Sequence, residues 1–241
     1  MNKRISVVIA AYNEEPRIAE VLKAVEHHPL IDEVIVVNDG SKDKTSEVVK
    51  RFDVKLIENE KNMGKTLSIK RGVEAAKNEI IMLLDADLVD LSADSIIKLA
   101  KPVLDGRVDW TLSLRCNSFG FVKILKLTKV DWLSGDRVIP KTLLSDPLIW
   151  SKPNIGYGLE VLMNKSFLGK KATFQSVYLS DVHNPGKTDK NGFWKGLRKQ
   201  YNMVVQISKA VPLFAVILQL IKMAYLNRKY SRDYSKELAT A

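Results

Sequence analysis

Within the first 85 residues, short strand-like runs rich in apolar residues alternate four times with segments of helical periodicity, and no other feature constrains the fold so tightly. Ile5–Ala11 carries no charge and suits a central parallel strand buried on both faces. Ile18, Val21, Leu22 and Val25 follow at helical spacing behind Pro16, which fits a first helical turn. His27-His28-Pro29 closes that helix; adjacent rings point apart, so they read as an exposed helix end rather than a metal pair. Glu33–Val37 is a second strand, broken by Asn38-Asp39-Gly40-Ser41, with Ser41 or Asp43 placed to cap a helix through Val49. Val54–Ile57 is a short third strand, and Asn62-Met63-Gly64-Lys65 opens a helix carrying Leu67, Ile69, Val73 and Ala76. Ile80–Leu84 is the fourth strand. The pattern implies an α/β fold, a Rossmann-like, mostly parallel sheet with helices on both faces. Such sheets bind ligands at the carboxyl ends of their strands.

The fourth strand ends in Asp85-Ala86-Asp87. An acid at the end of a buried strand loses hydration, and two of them repel unless a cation or a hydrogen-bonding shell compensates. Mg²⁺ or Mn²⁺ would do so, because a hard divalent cation takes oxygen ligands and bridges carboxylates to substrate phosphates. Asn13, Asp39, Asp85 and Asp87 all fall at predicted strand ends, which makes this edge the nucleotide side. Gly-x-Gly-x-x-Gly does not follow the first strand, and Gly64-Lys65-Thr66 is not part of a P-loop, so those two nucleotide folds are excluded.

Four motifs in order, Val8-Ile9-Ala10-Ala11-Tyr12-Asn13-Glu14-Glu15, Asn38-Asp39-Gly40-Ser41-Lys42-Asp43, Asn62-Met63-Gly64-Lys65 and Asp85-Ala86-Asp87, resemble the signature of family 2 glycosyltransferases with a GT-A fold. The resemblance implies a nucleotide-sugar donor, commonly a UDP-sugar. Asp39 would read the base, Ala11, Asn13 and Glu14 would line its pocket, and Lys65 would face the phosphates. Asp85 and Asp87 would hold Mg²⁺ or Mn²⁺ on the diphosphate, where metal and lysine stabilise the departing charge.

The second half begins with a helix over Ser92–Leu104 and a strand over Val108–Leu114. Arg115–Lys129 is basic and apolar, either an amphipathic segment near the acceptor or ordinary packing. Ser134-Gly135-Asp136-Arg137 precedes a helix-like stretch, and Ile155-Gly156-Tyr157-Gly158-Leu159-Glu160 opens another helix. Both are similar to acceptor-side motifs of family 2 enzymes, the second to glucosyl-3-phosphoglycerate synthases, with some likeness to polyprenyl-phosphate sugar synthases. The likeness to glucosyl-3-phosphoglycerate synthases implies that His183 would complete the metal site as a third ligand. Arg137 suits an acceptor phosphate or carboxylate by its bidentate geometry, and Asp136 and Glu160 are both candidates for a base.

The net charge of +10 is concentrated at the end of the chain. Between Lys187 and Lys236 stand 11 Lys/Arg against 2 Asp/Glu. No nucleic-acid motif accompanies this charge, and long apolar runs interleave with it, so no nucleic-acid partner is expected. From Phe193 the residues Trp194, Leu197, Tyr201, Val204 and Val205 share one helical face opposite Lys195, Arg198 and Lys199. A second apolar run, Ala210–Leu218, is ended by Gln219 and Lys222; a helix there reaches roughly 18 Å, short of the ~30 Å hydrocarbon core. A pair of interfacial helices on an anionic membrane surface fits, as does a flap packed on the domain or on a homodimer partner. The expected organisation is a glycosyltransferase domain over 1–190, donor half 1–90 and acceptor half 91–190, and a basic, apolar helical extension over 191–241. One cysteine, Cys116, and no signal-peptide-like start suit a cytoplasmic, peripheral location on the inner face of the membrane. The expected acceptor is a polyprenyl phosphate or other lipid, with a small phosphorylated or carboxylated molecule as the alternative; a non-catalytic nucleotide-binding or membrane-tethering module is the alternative of another class.

Overall fold

The computed structural model describes residues 4–115, 130–152, 158–183 and 205–240, with side chains omitted over 231–240. Its strands are β1 (Ile5–Ala11), β2 (Ile31–Asn38), β3 (Lys55–Glu58), β4 (Ile80–Asp85), β5 (Trp110–Arg115), β6 (Arg137–Pro140) and β7 (Phe174–Leu179). They form one sheet in the order β3-β2-β1-β4-β6-β5-β7. The helices are α1 (Ile18–Val25), α2 (Thr45–Val49), α3 (Lys65–Ala75), α4 (Ala93–Leu104), α5 (Lys141–Leu144), α6 (Pro147–Trp150), α7 (Gly158–Gly169) and α8 (Leu213–Thr240).

Strand alternation divides the interior into two cores. Ile80, Met82 and Leu84 of β4 face Ile18 and Leu22 of α1 and Ile96 and Leu99 of α4. Ile81 and Leu83 face the other way, onto Ile69 and Val73 of α3 and Leu159, Met163 and Phe167 of α7. This is why these strands read as continuous apolar runs: both faces of the sheet are covered. Trp110 anchors the second core, stacked on Phe174 at 4.7 Å between ring centroids and edge-on to Phe167 at 5.2 Å.

β1 to β4 are parallel, but β6 runs antiparallel between β4 and β5. The helix-like stretch expected after Arg137 is therefore a strand first, followed by the single turn α5. Val138 and Ile139 are both fully buried, one in each core, which a strand achieves and an amphipathic helix does not. β7 had no counterpart in the sequence reading. Helix α2 is served by Asp43, whose Oδ1 accepts the Thr45 N–H, not by Ser41. His28 is a further correction: it is buried, with Nδ1 accepting the Leu30 N–H and Nε2 3.3 Å from the Ala93 carbonyl, while only His27 stands in solvent.

The C-terminal segment also differs from expectation. The helix does not end at Gln219 or Lys222 but continues as α8 to Thr240, because no helix breaker follows Pro212. The polar residues that suggested an end are docking groups. Asn227 Oδ1 accepts the Ser176 N–H of β7 at 2.8 Å, and Lys222 Nζ donates to the Leu168 carbonyl at 3.0 Å. The expected helix from Phe193 lies largely outside the described residues, as does the amphipathic segment over 116–129.

Close approach of α3 to the sheet requires Gly72. A Cβ there would collide with Cγ1 of Val8 and lie 3.3 Å from Cγ2 of Val37. Gly72→Val is expected to lower stability by about 1–3 kcal/mol through overpacking. Gly169→Ala, where an added Cβ meets nothing within 4 Å, should be near neutral. Urea unfolding of both variants checks the contrast.

Candidate active site

Asp85 shares its face of β4 with Ile81 and Leu83, so it points to the side where α3 and α7 pack. Lys65 is the first residue of α3 and Glu160 lies in the first turn of α7. The three meet at the sheet's carboxyl edge: Lys65 Nζ donates to Asp85 Oδ1 at 3.0 Å and to Glu160 Oε1 at 2.9 Å. Gly135 closes over this pair, since a Cβ there would collide with Asp85 Oδ1 and stand 2.9 Å from Lys65 Nζ. Arg115, the last residue of β5, extends the array, with Nη1 3.5 Å from Asp85 Oδ2 and 3.3 Å from Asp136 Oδ2. Asp136 also accepts the Asp85 N–H on Oδ1 and the Ser113 hydroxyl on Oδ2. Acid and base thus alternate along Glu160, Lys65, Asp85, Arg115 and Asp136.

The titration behaviour follows this order. Burial pushes the Asp85 carboxyl up, but Lys65 and then Arg115 outweigh it and hold it below the usual range. Burial weakens the Lys65 ammonium, and Asp85 and Glu160 more than restore it. For Asp136 burial wins, Arg115 opposing it only in part, so its carboxyl lies above the ordinary value. Asp87 is raised by burial and then by the Asp85 charge. It makes no hydrogen bond or ion pair among the described residues.

Arg137 is not on an acceptor surface. It is fully buried, with Nε donating to the Ser134 carbonyl, Nη1 to Asn164 Oδ1 and Nη2 to the Trp132 carbonyl, and its guanidinium carbon lies 5.4 Å from the Trp110 ring centroid. Burial pulls its pKa down to about 10, which leaves it charged at neutral pH. It is an interior post joining β6 to α7, and the bidentate acceptor role expected of it has no free face to act from. Glu160 is likewise buried; its Oε1 serves Lys65, and Oε2 has no partner among the described residues.

The first two strand-end loops are stapled together. Asn13, at φ +56°, accepts the Lys42 N–H on Oδ1 and gives its own N–H to Ser41 Oγ. The Ala11 carbonyl accepts the Asp39 N–H, and the Glu14 N–H goes to Thr45 Oγ1. Burial raises the Glu14 carboxyl above its ordinary value, the paired Arg17 opposing it and the nearby Asp87 charge adding to it. Beside these loops is a cleft of about 460 Å³ bordered by Tyr12, Asn38, Ser41, Lys42, Asn59 and Asn62. Asp39 does not border it. Its buried carboxylate accepts Asn59 Nδ2 and the Met63 N–H on Oδ1 and the Gly64 N–H on Oδ2. Asp39 therefore shapes the loop leading to Lys65.

His183 arrives by backbone pairing with Val89, two residues beyond Asp87. Its Nδ1 lies 3.2 Å from the Asp181 carbonyl and 3.5 Å from Asp90 Oδ2. Among the described residues, no three His, Cys, Asp or Glu side chains gather closely enough to hold a metal. Asp87, unpaired and half-buried beside a second acid, has the chemistry of a carboxylate ligand to a hard cation whose remaining positions go to phosphate or water. Arg115 is the site residue that sequence reasoning passed over. Its signal was a cation ending an otherwise uncharged strand. Arg115→Met is expected to cost on the order of 3 kcal/mol by leaving Asp85 and Asp136 without their shared cation. Adding Asp136→Asn should recover part of that loss in a double-mutant cycle read by urea unfolding.

Residues 6–138 match the family model described as Glycosyl transferase family 2. An uncharacterised protein of Methanocaldococcus jannaschii is 39% identical over 118 residues, 45% of this chain and 50% of that one. The human dolichyl-phosphate beta-glucosyltransferase is 39% identical over 101 residues, 35% of this chain and 31% of that one. The matched stretches thus span half or less of these relatives' own length. In three dimensions the chain is similar to glucosyl-3-phosphoglycerate synthase from Mycobacterium tuberculosis, solved with Mn²⁺, UDP and glucosyl-3-phosphoglycerate; the TM-score is 0.67 at 23% identity, covering 86% of this chain and 80% of that one. That likeness establishes the GT-A fold. With a family match running from β1 into β6, over more than half its length, the chain belongs to glycosyl transferase family 2.

Proposed function

We propose that this chain transfers a sugar from a nucleoside-diphosphate donor, a UDP-sugar, to a lipid-linked phosphate such as a polyprenyl phosphate. The observation that carries the reading is the unequal compensation of the acid pair on β4. Asp85 is neutralised by Lys65 and Arg115, whereas Asp87 is ionisable, partly exposed and unpaired among the described residues. Asp87 would be the protein's carboxylate ligand to Mg²⁺ or Mn²⁺, the remaining positions going to diphosphate oxygens and water, because Asp85 is engaged by Lys65 and Arg115 and, among the described residues, His183 is not gathered with the two acids into a three-ligand site. When bound, the cation supplies positive charge to the departing diphosphate.

The chain's own groups account for the rest. The cleft beside Tyr12 and Asn38 would take the nucleoside; Ala11, Asn13 and Glu14 do not border it but fix the loops beside it, Asn13 through the Lys42 N–H, and Asp39 sets the loop that leads to Lys65. Lys65, held between two acids, is a preorganised cation at the edge where charge develops. Both candidate bases, Asp136 and Glu160, are engaged in ion pairs within the chain. A phosphate acceptor is already ionised near neutral pH and requires no base, which favours it over a hydroxyl. The curated dolichyl-phosphate relatives lend the same direction. A small phosphorylated acceptor is the second reading, supported by Gly156-Tyr157-Gly158 and Glu160. The proposed location is peripheral, on the cytoplasmic face of the membrane. Among the described residues no helix is long and apolar enough to cross a bilayer.

Asp87→Ala and Asp85→Ala should each lower UDP release from UDP-sugar by about 100-fold or more, and EDTA should do the same to the wild type. Unchanged turnover in all three would sink the metal-assisted mechanism. No turnover in the wild type with intact UDP binding would favour a non-catalytic nucleotide-binding module. Supplying polyprenyl phosphate or 3-phosphoglycerate in parallel, with product identified by mass spectrometry, decides the acceptor. A glycosylated lipid phosphate is expected.

A further inference from the structure

We infer that the outward face of α8 is a bilayer-docking surface, with Leu213, Phe214, Ile217, Leu218, Ile221 and Tyr225 entering the apolar side of an anionic lipid interface. These residues recur at spacings of one, three and four and so form one stripe along the helix. They are between 52% and 67% exposed. Nine large apolar side chains are exposed among the described residues, and six of them lie here, which makes this a continuous patch rather than scattered surface.

The stripe cannot fold back onto the domain, because the opposite face of α8 is already committed. Val216, Gln219, Met223 and Asn227 are buried, and Asn227 and Lys222 are tied to β7 and α7. Met223 belongs to the core beneath the sheet, and Val216 packs in a cluster with Val161, Leu162, Ile207 and Val211. The helix is thus anchored on one side and apolar on the other.

Charge decides the occupant. Residues 205–230 contain Lys209, Lys222, Arg228 and Lys229 and no acid. A second copy packed about a two-fold axis on this stripe would bring the same cations toward each other, with only Asp233 and Glu237, near the far end of α8, to set against them and against Arg232 and Lys236. An interface of anionic head groups answers Lys209, Arg228 and Lys229, Lys222 being tied to the Leu168 carbonyl, while the stripe sinks roughly 5–10 Å to the acyl boundary. The placement also suits the site. On the anchored face Val216 packs with Val161 and Leu162, the residues following Glu160 on α7, so docking would hold the head-group layer one helix away from the one that carries the Lys65 partner. This last point rests on the lipid-acceptor reading; the docking itself does not.

The test uses the full chain and vesicles of phosphatidylcholine, with and without phosphatidylglycerol. Wild type should float with the anionic vesicles and fall off as salt rises. Phe214→Ser, Ile217→Ser and Ile221→Ser combined should weaken that partitioning at least tenfold with thermal unfolding unchanged, since all three side chains are exposed. Arg228→Ala with Lys229→Ala should weaken it on anionic vesicles only. Equal flotation of wild type and the triple variant overturns the proposal. So does a wild type that floats with neither lipid but is dimeric by light scattering, with the triple variant monomeric. UDP binding is measured on the same samples. Flotation without UDP binding leaves the docking face standing and removes the transferase reading; UDP binding without flotation does the reverse.

Discussion

The alternating run of charge from Glu160 through Lys65, Asp85 and Arg115 to Asp136 is the constraint on which the rest depends. Three acids and two cations occupy the sheet's carboxyl edge, and Glu160, Asp136 and Arg115 are almost wholly out of water. Charges so placed are tolerable only when each has a partner of opposite sign at close range. Those partners come from α3, β4, β5, the β6 lead-in and α7, so the edge forms only once five separate stretches have converged. Gly135 follows from the same requirement, because the pair beneath it leaves no room for a side chain. Gly72 serves it from a distance, letting α3 lie close enough for Lys65 to reach.

The donor-side half of this arrangement was legible in the sequence because it is local. β1 and the body of β4 announce themselves as uncharged runs, β2 by its Val34–Val37 stretch, the helices by a 3.6-residue period, and the motifs sit at the joints between them. Asp85 was identified from its place at the end of a buried strand, and Lys65 from the family resemblance of the motif that opens α3. The second half was less readable, because its decisive features are not local. β6 is four residues long and its direction is set by its neighbours, so Arg137–Pro140 carries no periodic signal. Arg115 is meaningful only once Asp85 and Asp136 lie beside it.

Two residues show how chemistry inferred from side-chain type is revised by burial. Arg137 and Asp39 carry the functional groups that phosphate and base recognition use, yet in this structure both are spent on the chain itself. Arg137 satisfies two carbonyls and an amide in a region where those acceptors would otherwise be unpaired. Asp39 gathers the backbone N–H groups of Met63 and Gly64 just ahead of α3, an acid stabilising the entry to a helix. In both cases a strong hydrogen-bonding group has become scaffolding for the segments around it.

The bond from the Ser176 N–H to Asn227 has a meaning for the solution behaviour of the protein. β7 is the last strand of the sheet, and its outer rim is the place where an extended segment of another molecule could add itself by main-chain pairing. At the opposite rim β3 is four residues long and offers little to such an intruder. β7 is six residues long and has no comparable protection of its own. By lying across it and supplying an amide oxygen in place of a strand carbonyl, α8 removes that template. The same helix that leaves one greasy face open thereby shuts the sheet against runaway strand addition, and a chain losing its hold at Asn227 would become prone to fibre-like self-association.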